Sequence, residues 1–433
     1  MLSDWIFWLS SIPRDVVFWM LIPFVIFDGA RYTLALGLMV FYDSVRDSCR
    51  NIKNFIFPAL EEERDWSYCP SVAVMIVGLN EGDTIKHALE SVYDTYPRME
   101  LFVVDDGSSD DMSKNANEFA KNHHGVTVLS RKLRGGKSSA MNMPLPMITS
   151  EIVVVIDSDS HLADGAIWNI VQPFKNPEVG AVSGSVSARN PFVNLCTRLQ
   201  ALEYRRSIFL GRILLSRLGI LGIVSGALGA FRKSALDKFG GWDVGPGEDG
   251  DLTIKFRKAG YKIAFVPEAS CLTNLPTSFK VLTKQRRRWE WAAVTFECRK
   301  HIDAGNPLGK HFRWDNFFMM VERWLFNVIL VYMSVLYWLT LPYYCTMTSI
   351  FYLVFSFYVL YVICDVLQNL FVLYYSPNRR EDLVLFAVFP LMPIYYAYQK
   401  FVTLWAITEE IFTRRSFKDN FVPERVRNVT WHW

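Results

Sequence analysis

The stretch Gln285-Arg286-Arg287-Arg288-Trp289 constrains this chain most, because of what lies on either side of it. Upstream, two short apolar runs end on acidic groups, Asp105-Asp106-Gly107-Ser108 and Asp157-Ser158-Asp159, and a third acidic pair, Glu248-Asp249, follows. Downstream come apolar segments long enough to cross a bilayer. The fold has to accommodate carboxylates at strand ends, a basic aromatic stretch and membrane-length helices, in that order.

Residues 72–77, 101–104 and 152–156 are short β-rich runs, and helical stretches at 84–93 and 112–122 lie between them. Continuous apolar strands alternating with helices predict a mainly parallel α/β sheet covered on both faces, with ligands bound beyond the strand C-termini. Asp105, Asp106, Asp157 and Asp159 fall at those ends. Taken singly, Asp-Gly and Asp-Ser are also ordinary turn and cap residues. Their order and spacing raise them above that reading.

A chain that is 51% hydrophobic and 15% aromatic is too apolar for a soluble domain alone. Segments 321–344, 348–374 and 383–407, and the N-terminal 16–42, each reach the roughly 20 helical residues a bilayer core requires. Asp28 and Arg31 sit three apart in the middle of the first span, on one helix face. Its apolar part is too long, and its first residues too poor in positive charge, for a cleavable signal. The expected layout is an external N-terminus (1–15), a span (16–42), a linker (43–69), an α/β domain (70–300), an interfacial connector (301–320), three further spans and a tail (408–433).

Lysine and arginine bias orients these segments. The basic loop at Arg379-Arg380 is expected in the cytoplasm and the uncharged loop near Thr346 outside, which puts the α/β domain in the cytoplasm of a multi-pass plasma (inner) membrane protein. Four spans, the favoured layout, leave the tail external, against its own Arg414, Arg415, Lys418, Arg425 and Arg427; the alternative is that the last segment, broken by Pro390 and Pro393, is re-entrant. A net charge of +3 without a long basic block argues against nucleic acid as a partner. Seven scattered cysteines without a CxxC pair predict neither a disulfide frame nor a zinc site. Two amphipathic stretches, 193–218 with Arg198, Arg205, Arg206, Arg212 and Arg217 against leucines, and 278–300, are expected along a lipid bilayer surface.

Taken together, Asn80-Glu81, Asp105-Asp106, Gly136-Lys137 then Asn142, Asp157-x-Asp159, Glu248-Asp249 and Gln285-x-x-Arg288-Trp289 resemble the membrane-integrated processive family 2 glycosyltransferases. These are the synthases of cellulose, chitin, hyaluronan and poly-N-acetylglucosamine. The likeness runs over about residues 70 to 300 and implies a GT-A-type nucleotide-sugar-binding domain joined to an α-helical transmembrane region. It also implies an inverting enzyme that polymerises a UDP-sugar, UDP-GlcNAc or UDP-glucose, into a β-linked polysaccharide and secretes it. The rival reading is transfer of one sugar to a lipid acceptor such as ceramide or polyprenyl phosphate.

The resemblance assigns roles residue by residue. Asn80, Glu81, Asp105 and Asp106 are implied to contact the nucleoside, and Lys137 the diphosphate. Asp157 and Asp159 are implied to hold Mg2+ or Mn2+ on it, a hard cation suiting the charge that grows as the sugar leaves. His161 is near enough to consider as a ligand, and a surface or cap histidine is the plainer reading. Asp249 is the implied base for the acceptor hydroxyl. Gln285 and Arg288 are implied to steady the leaving diphosphate, and Trp289 to stack the acceptor sugar near Glu248 and the small-residue loop at Ser225-Gly226. Trp324, Trp338 and Tyr344 are candidates for a sugar channel, and an accessory subunit remains a candidate partner. Gly247 departs from the family's usual Thr-Glu-Asp, which puts that threonine's contact in question.

Overall fold

A computed structural model describes residues 2–13, 16, 32–56, 67–310, 312–419 and 422–430. Most of the expected first span, with Asp28 and Arg31, lies outside the described residues. The chain divides into two compact units. One comprises Met1–Glu62, Arg205–Leu214 and Glu322–Leu404, and the other Glu63–Tyr204, Leu215–Val321 and Trp405–Trp433.

The second unit is built on eight strands: β1 (Val72–Gly78), β2 (Met99–Asp105), β3 (Val126–Ser130), β4 (Ile152–Asp157), β5 (His161–Leu162), β6 (Val179–Ala188), β7 (Leu228–Arg232) and β8 (Lys262–Thr273). They lie in the order β3-β2-β1-β4-β7-β6-β8-β5. β1 is buried along its whole length and β4 up to Asp157, as the unbroken apolar runs require. The first four strands pair in parallel, as do β6 and β8. β7 enters antiparallel between β4 and β6, and β5 pairs antiparallel with β8. The sheet is therefore mixed, with its parallel half in β1–β4. Helices Ile85–Val92 and Met112–Asn122 follow the predicted stretches to within a residue.

Parallel register places the acidic ends together. Gly78 of β1 pairs with Asp105 of β2, and Val77 with Asp157 of β4. The two carboxylates thus leave the sheet at nearly the same level, about 10 Å apart across β1 at the usual strand spacing.

Two helices among the described residues are long and apolar enough to cross a membrane: Met347–Tyr375, within the first unit, and Trp314–Tyr344, which belongs to the first unit from Glu322 on. The third apolar segment is not one continuous helix. It is a short helix Arg379–Leu385, a 3-10 segment Phe386–Leu391 containing Pro390, and a helix Met392–Thr413; proline removes a helix donor and forces such a break. The N-terminal residues form a helix, Leu2–Ser11, which lies against Met347–Tyr375, with Trp5 Nε1 donating to Ser356 Oγ at 2.9 Å.

The tail from Trp405 belongs to the same compact unit as the sheet. One expectation is corrected. Arg206 does not lie along a surface. It is 4% exposed, donates to Asp365 Oδ1 at 2.5 Å and reaches Asn369 Oδ1 at 2.8 Å. An aspartate and an asparagine within an apolar span need a polar partner, and Arg206 supplies it.

Candidate active site

The loop after β3 is shaped by Asp106. Its Oδ1 accepts from Gly135 N at 2.9 Å and its Oδ2 from Gly136 N at 2.8 Å, while the Arg131 guanidinium closes the other side. Both oxygens are thereby committed to the loop, and the residue is buried. Asp106 serves as the brace of the Arg134-Gly135-Gly136 turn, which the spacing alone did not reveal. Helix Lys137–Asn142 starts from that turn, so the brace fixes where Lys137 emerges.

Lys137 Nζ donates to Asp157 Oδ1 at 2.5 Å and lies 3.5 Å from Glu248 Oε1. Burial alone would lower its pKa, but Asp157, Glu248 and Asp249 outweigh that and hold it above the ordinary lysine value. A side chain at Gly226 would meet Lys137 Nζ at 3.1 Å and Asp249 Oδ2 at 3.6 Å. Gly226, Lys137, Asp157, Glu248 and Asp249 therefore meet at one point, although they lie up to 112 positions apart in sequence, from 137 to 249. Ser225 lies beside them, its amide donating to Ser183 Oγ at 3.1 Å. Asp249 sits at the start of helix Glu248–Lys258, where its Oδ1 accepts from Gly250 N at 2.8 Å. The helix N-terminus favours its negative charge. Burial raises the Glu248 carboxyl, and Asp249 and Asp157 add to that against Lys137.

Burial, with Asp157 and Glu81, pushes the Asp159 carboxyl up to about 6. Asp157 and Asp159 thus repel each other even with Lys137 on Asp157, and a divalent cation would relieve that repulsion. Among the described residues no group of three or more acidic, histidine or cysteine side chains is placed to hold a metal. A pair of carboxylates fits a hard cation that completes its shell with phosphate oxygens and water. His161 opens β5, and its Nδ1 is buried without a hydrogen-bond partner.

The nucleoside candidates form a second group. Asn80, in a left-handed conformation at φ 59°, accepts at Oδ1 from Ser109 N at 2.8 Å. Asp105 Oδ1 accepts from Ser108 N at 2.9 Å, and Glu81 Oε2 from Thr84 Oγ1 at 2.9 Å. The Asn80 bond holds the loop after β1 against the loop after β2, and the other two bonds shape one loop each, at the mouth formed by the parallel strand ends.

The basic cluster lies on helix Phe279–Ala293, opened by Ser278, whose hydroxyl accepts from Val281 N. Helical spacing puts Gln285, Arg288 and Trp289 on one face. Arg286 lies over the Trp289 ring at 4.3 Å and donates to Glu203 at 2.9 Å. Arg287 donates to Glu409 at 2.5 Å and covers the Trp405 ring at 3.9 Å, and Arg288 lies 3.3 Å from Asp419. Gln285 Oε1 is buried without a hydrogen-bond partner, and Trp289 is 45% exposed. The tail adds a buried anchor. Glu410 accepts from Arg299 at 2.5 Å and from Ser416 N at 2.7 Å, while Arg425 donates to Arg134 O at 2.6 Å. Glu203, Glu409, Glu410 and Asp419 were missed from sequence, and no spacing signal marks them.

Phe296 packs against the start of the helix that carries Asp249. A side chain at Gly247 would lie 2.7 Å from its ring, and one at Gly250 closer still. Gly247 also has φ +71°, a conformation only glycine adopts without strain. The ring fills the space a threonine would need, which accounts for the departure from Thr-Glu-Asp. Below it, Asp251 accepts from His301 Nε2 and Lys300 Nζ, both at 2.8 Å. Burial would raise the Asp251 carboxyl, but these bonds hold it below the ordinary carboxylate range.

The architecture is that of a GT-A domain with an added helical region. A mannosyltransferase of Pyrobaculum calidifontis, PcManGT, solved with GDP-Man and Mn2+, is similar in fold, with a TM-score of 0.56 over 89% of this chain and 99% of that one, at 19% identity. Residues 70–292, more than half of the 433, match the glycosyltransferase-like family 2, and the chain belongs to that family. It is similar to the poly-beta-1,6-N-acetyl-D-glucosamine synthase of Staphylococcus epidermidis, 32% identical over 221 residues, 50% of this chain and 53% of that protein. The enzyme of the same name from Staphylococcus aureus (strain MSSA476) is 27% identical over 269 residues, 61% of this chain and 64% of that protein. The match thus spans about half to just under two-thirds of these relatives.

Proposed function

We propose that this protein is an inverting, processive glycosyltransferase that extends a β-linked polysaccharide from a UDP-sugar and passes it through its membrane region. The observation that carries this reading is the meeting of Lys137, Asp157, Glu248 and Asp249 beside Gly226. The Lys137 ammonium, bridging Asp157 at the end of β4 and Glu248 at the start of a helix, stands next to a third carboxylate, Asp249, across a gap lined by Gly226. That gap suits a sugar diphosphate on one side and an acceptor hydroxyl on the other. The relatives that make poly-beta-1,6-N-acetyl-D-glucosamine favour UDP-GlcNAc as donor.

The loops at Asn80, Glu81 and Asp105 hold the nucleoside, and Asp106 keeps the Arg134–Gly136 turn in place so that Lys137 reaches the diphosphate. Mg2+ or Mn2+ held by Asp157 and Asp159 would neutralise charge on the departing UDP. Asp249 takes the proton from the acceptor hydroxyl as its oxygen bonds to the anomeric carbon and the bond to UDP breaks, inverting that carbon. Glu248, Ser225 and Gly226 line the acceptor side. Trp289, fixed from beneath by Arg286, offers an aromatic face to the acceptor's terminal sugar, and Gln285 and Arg288 receive the leaving diphosphate.

Trp314–Tyr344 and Met347–Tyr375 are read as two crossings, and the segment broken at Pro390 as re-entrant. The loop at Arg379-Arg380, the tail and the catalytic unit then face the cytoplasm, as their basic charge favours. Release of the nucleoside diphosphate by the purified chain in lipid, measured with UDP-GlcNAc, UDP-glucose and GDP-mannose, tests the donor. Preference for UDP-GlcNAc is expected, and preference for GDP-mannose would overturn the assignment.

A further inference from the structure

A cavity of about 330 Å3 opens within the membrane-helix unit, lined by residues of Trp314–Tyr344, Met347–Tyr375 and Met392–Thr413. Its volume falls in the range of about 300–1,000 Å3 typical of ligand pockets. Phe326, Met333, Trp338 and Phe357 give it an apolar wall. The polar lining is confined to hydroxyls, at Ser334, Tyr337, Tyr361 and Tyr396, and the ammonium of Lys400. Lys400 Nζ lies 3.4 Å from Tyr361 Oη and 5.7 Å from the centre of that ring. Nearby Asp365 is already bonded to Arg206, which also donates to Tyr396 Oη at 3.1 Å.

We infer that this cavity binds a lipid with a phosphate headgroup, its hydrocarbon chain against Phe326, Met333, Trp338 and Phe357 and its phosphate at Lys400 and the Tyr361 hydroxyl. The composition favours an anion over a saccharide. The lining carries no carboxylate or amide, the acceptors that hold most sugar hydroxyls, and its one charged group is the Lys400 ammonium. A phosphate calls for donors only, which an ammonium and phenolic hydroxyls provide. The two bordering helices are only 11% and 22% buried over their most apolar windows, so hydrocarbon chains reach the cavity directly from the bilayer. The site is separate from the Lys137 and Asp249 cluster and stands whether or not the proposed polymerisation holds.

Photocrosslinking tests it. The full chain is placed in phosphatidylcholine vesicles containing either phosphatidylglycerol or polyprenyl phosphate with a photoreactive group in the chain, and labelled residues are mapped by mass spectrometry. Label is expected at Met333, Trp338 or Phe357 with a phosphate lipid bearing net negative charge. Lys400→Gln should lower it about fivefold, the effect of one lysine on an anionic lipid, and Ala397→Trp, which fills the cavity from its wall, should abolish it. Stronger labelling by phosphatidylglycerol identifies a membrane lipid, and by polyprenyl phosphate a lipid-linked intermediate; either supports the site. Equal labelling in both variants, equal labelling by photoreactive phosphatidylcholine, or displacement by a GlcNAc oligomer would overturn it.

Discussion

Replacing Gly247 by threonine restores the residue that the resembled family commonly carries, yet it should disable this protein. The backbone at Gly247 has φ +71°, and the added Cβ would lie 2.7 Å from the Phe296 ring and 2.9 Å from Ala292 Cβ. Neither neighbour has a flexible end to swing away. A left-handed conformation costs a non-glycine residue about 1–2 kcal/mol, and overpacking a core adds about 1–3 kcal/mol. Gly247→Thr should therefore destabilise the catalytic unit by roughly 2–5 kcal/mol and displace Asp249, two residues along. Phe296→Ala alone should also destabilise, by about 3–5 kcal/mol, because the ring is buried among Ile254, Ala292 and Met319. In the double variant the small methyl that replaces the Phe296 ring leaves room for the threonine. Thermal unfolding and UDP release of all four proteins give the coupling energy, expected at about 1–3 kcal/mol for groups in contact. Strict additivity, or a Gly247→Thr protein as active as the parent, would refute the fit of the Phe296 ring against Gly247.

Asp249→Asn should keep donor binding, measured by calorimetry with UDP, and lose transfer by about 10²–10⁴-fold, the usual contribution of a general base. Asp159→Ala should abolish transfer, and chelation should silence the parent; full turnover in excess EDTA contradicts the metal site. Trp289→Ala should lower polymer yield by about fivefold, as removal of an aromatic contact worth about 1 kcal/mol implies, and leave donor affinity unchanged. Asp251 has a folded pKa held below its unfolded value, so its stabilisation is present above the ordinary carboxylate pKa and lost as pH falls through the folded one. Acid unfolding followed by circular dichroism should accordingly be less steep in Asp251→Asn; an unchanged profile removes Asp251 from the account.

The strands of the parallel half could be read from sequence because they are continuous apolar runs, and such a run buries both faces whatever surrounds it. β7 could not. Leu228-Gly-Ala-Phe-Arg is short and rich in small residues, and its direction is set by β4 and β6 on either side. The acidic and basic motifs pointed to Lys137, Asp157, Glu248 and Asp249, which do meet. What composition and spacing did not reveal were the partners. Arg286, Arg287 and Arg299 pair with carboxylates 83, 122 and 111 residues away, and only the folded chain brings these together. Arg206 was misplaced for a related reason. Its amphipathic setting suggested a surface, while the demand for it came from Asp365 in a distant span.

Product size tests the central proposal most directly. The purified chain in phospholipid vesicles, given radiolabelled UDP-GlcNAc and divalent metal, should yield a ladder of high-mass polysaccharide. The longest chains should appear before the donor is consumed, and Asp249→Asn should yield none. A single labelled sugar attached to lipid, with no longer product at any time, would contradict processive synthesis.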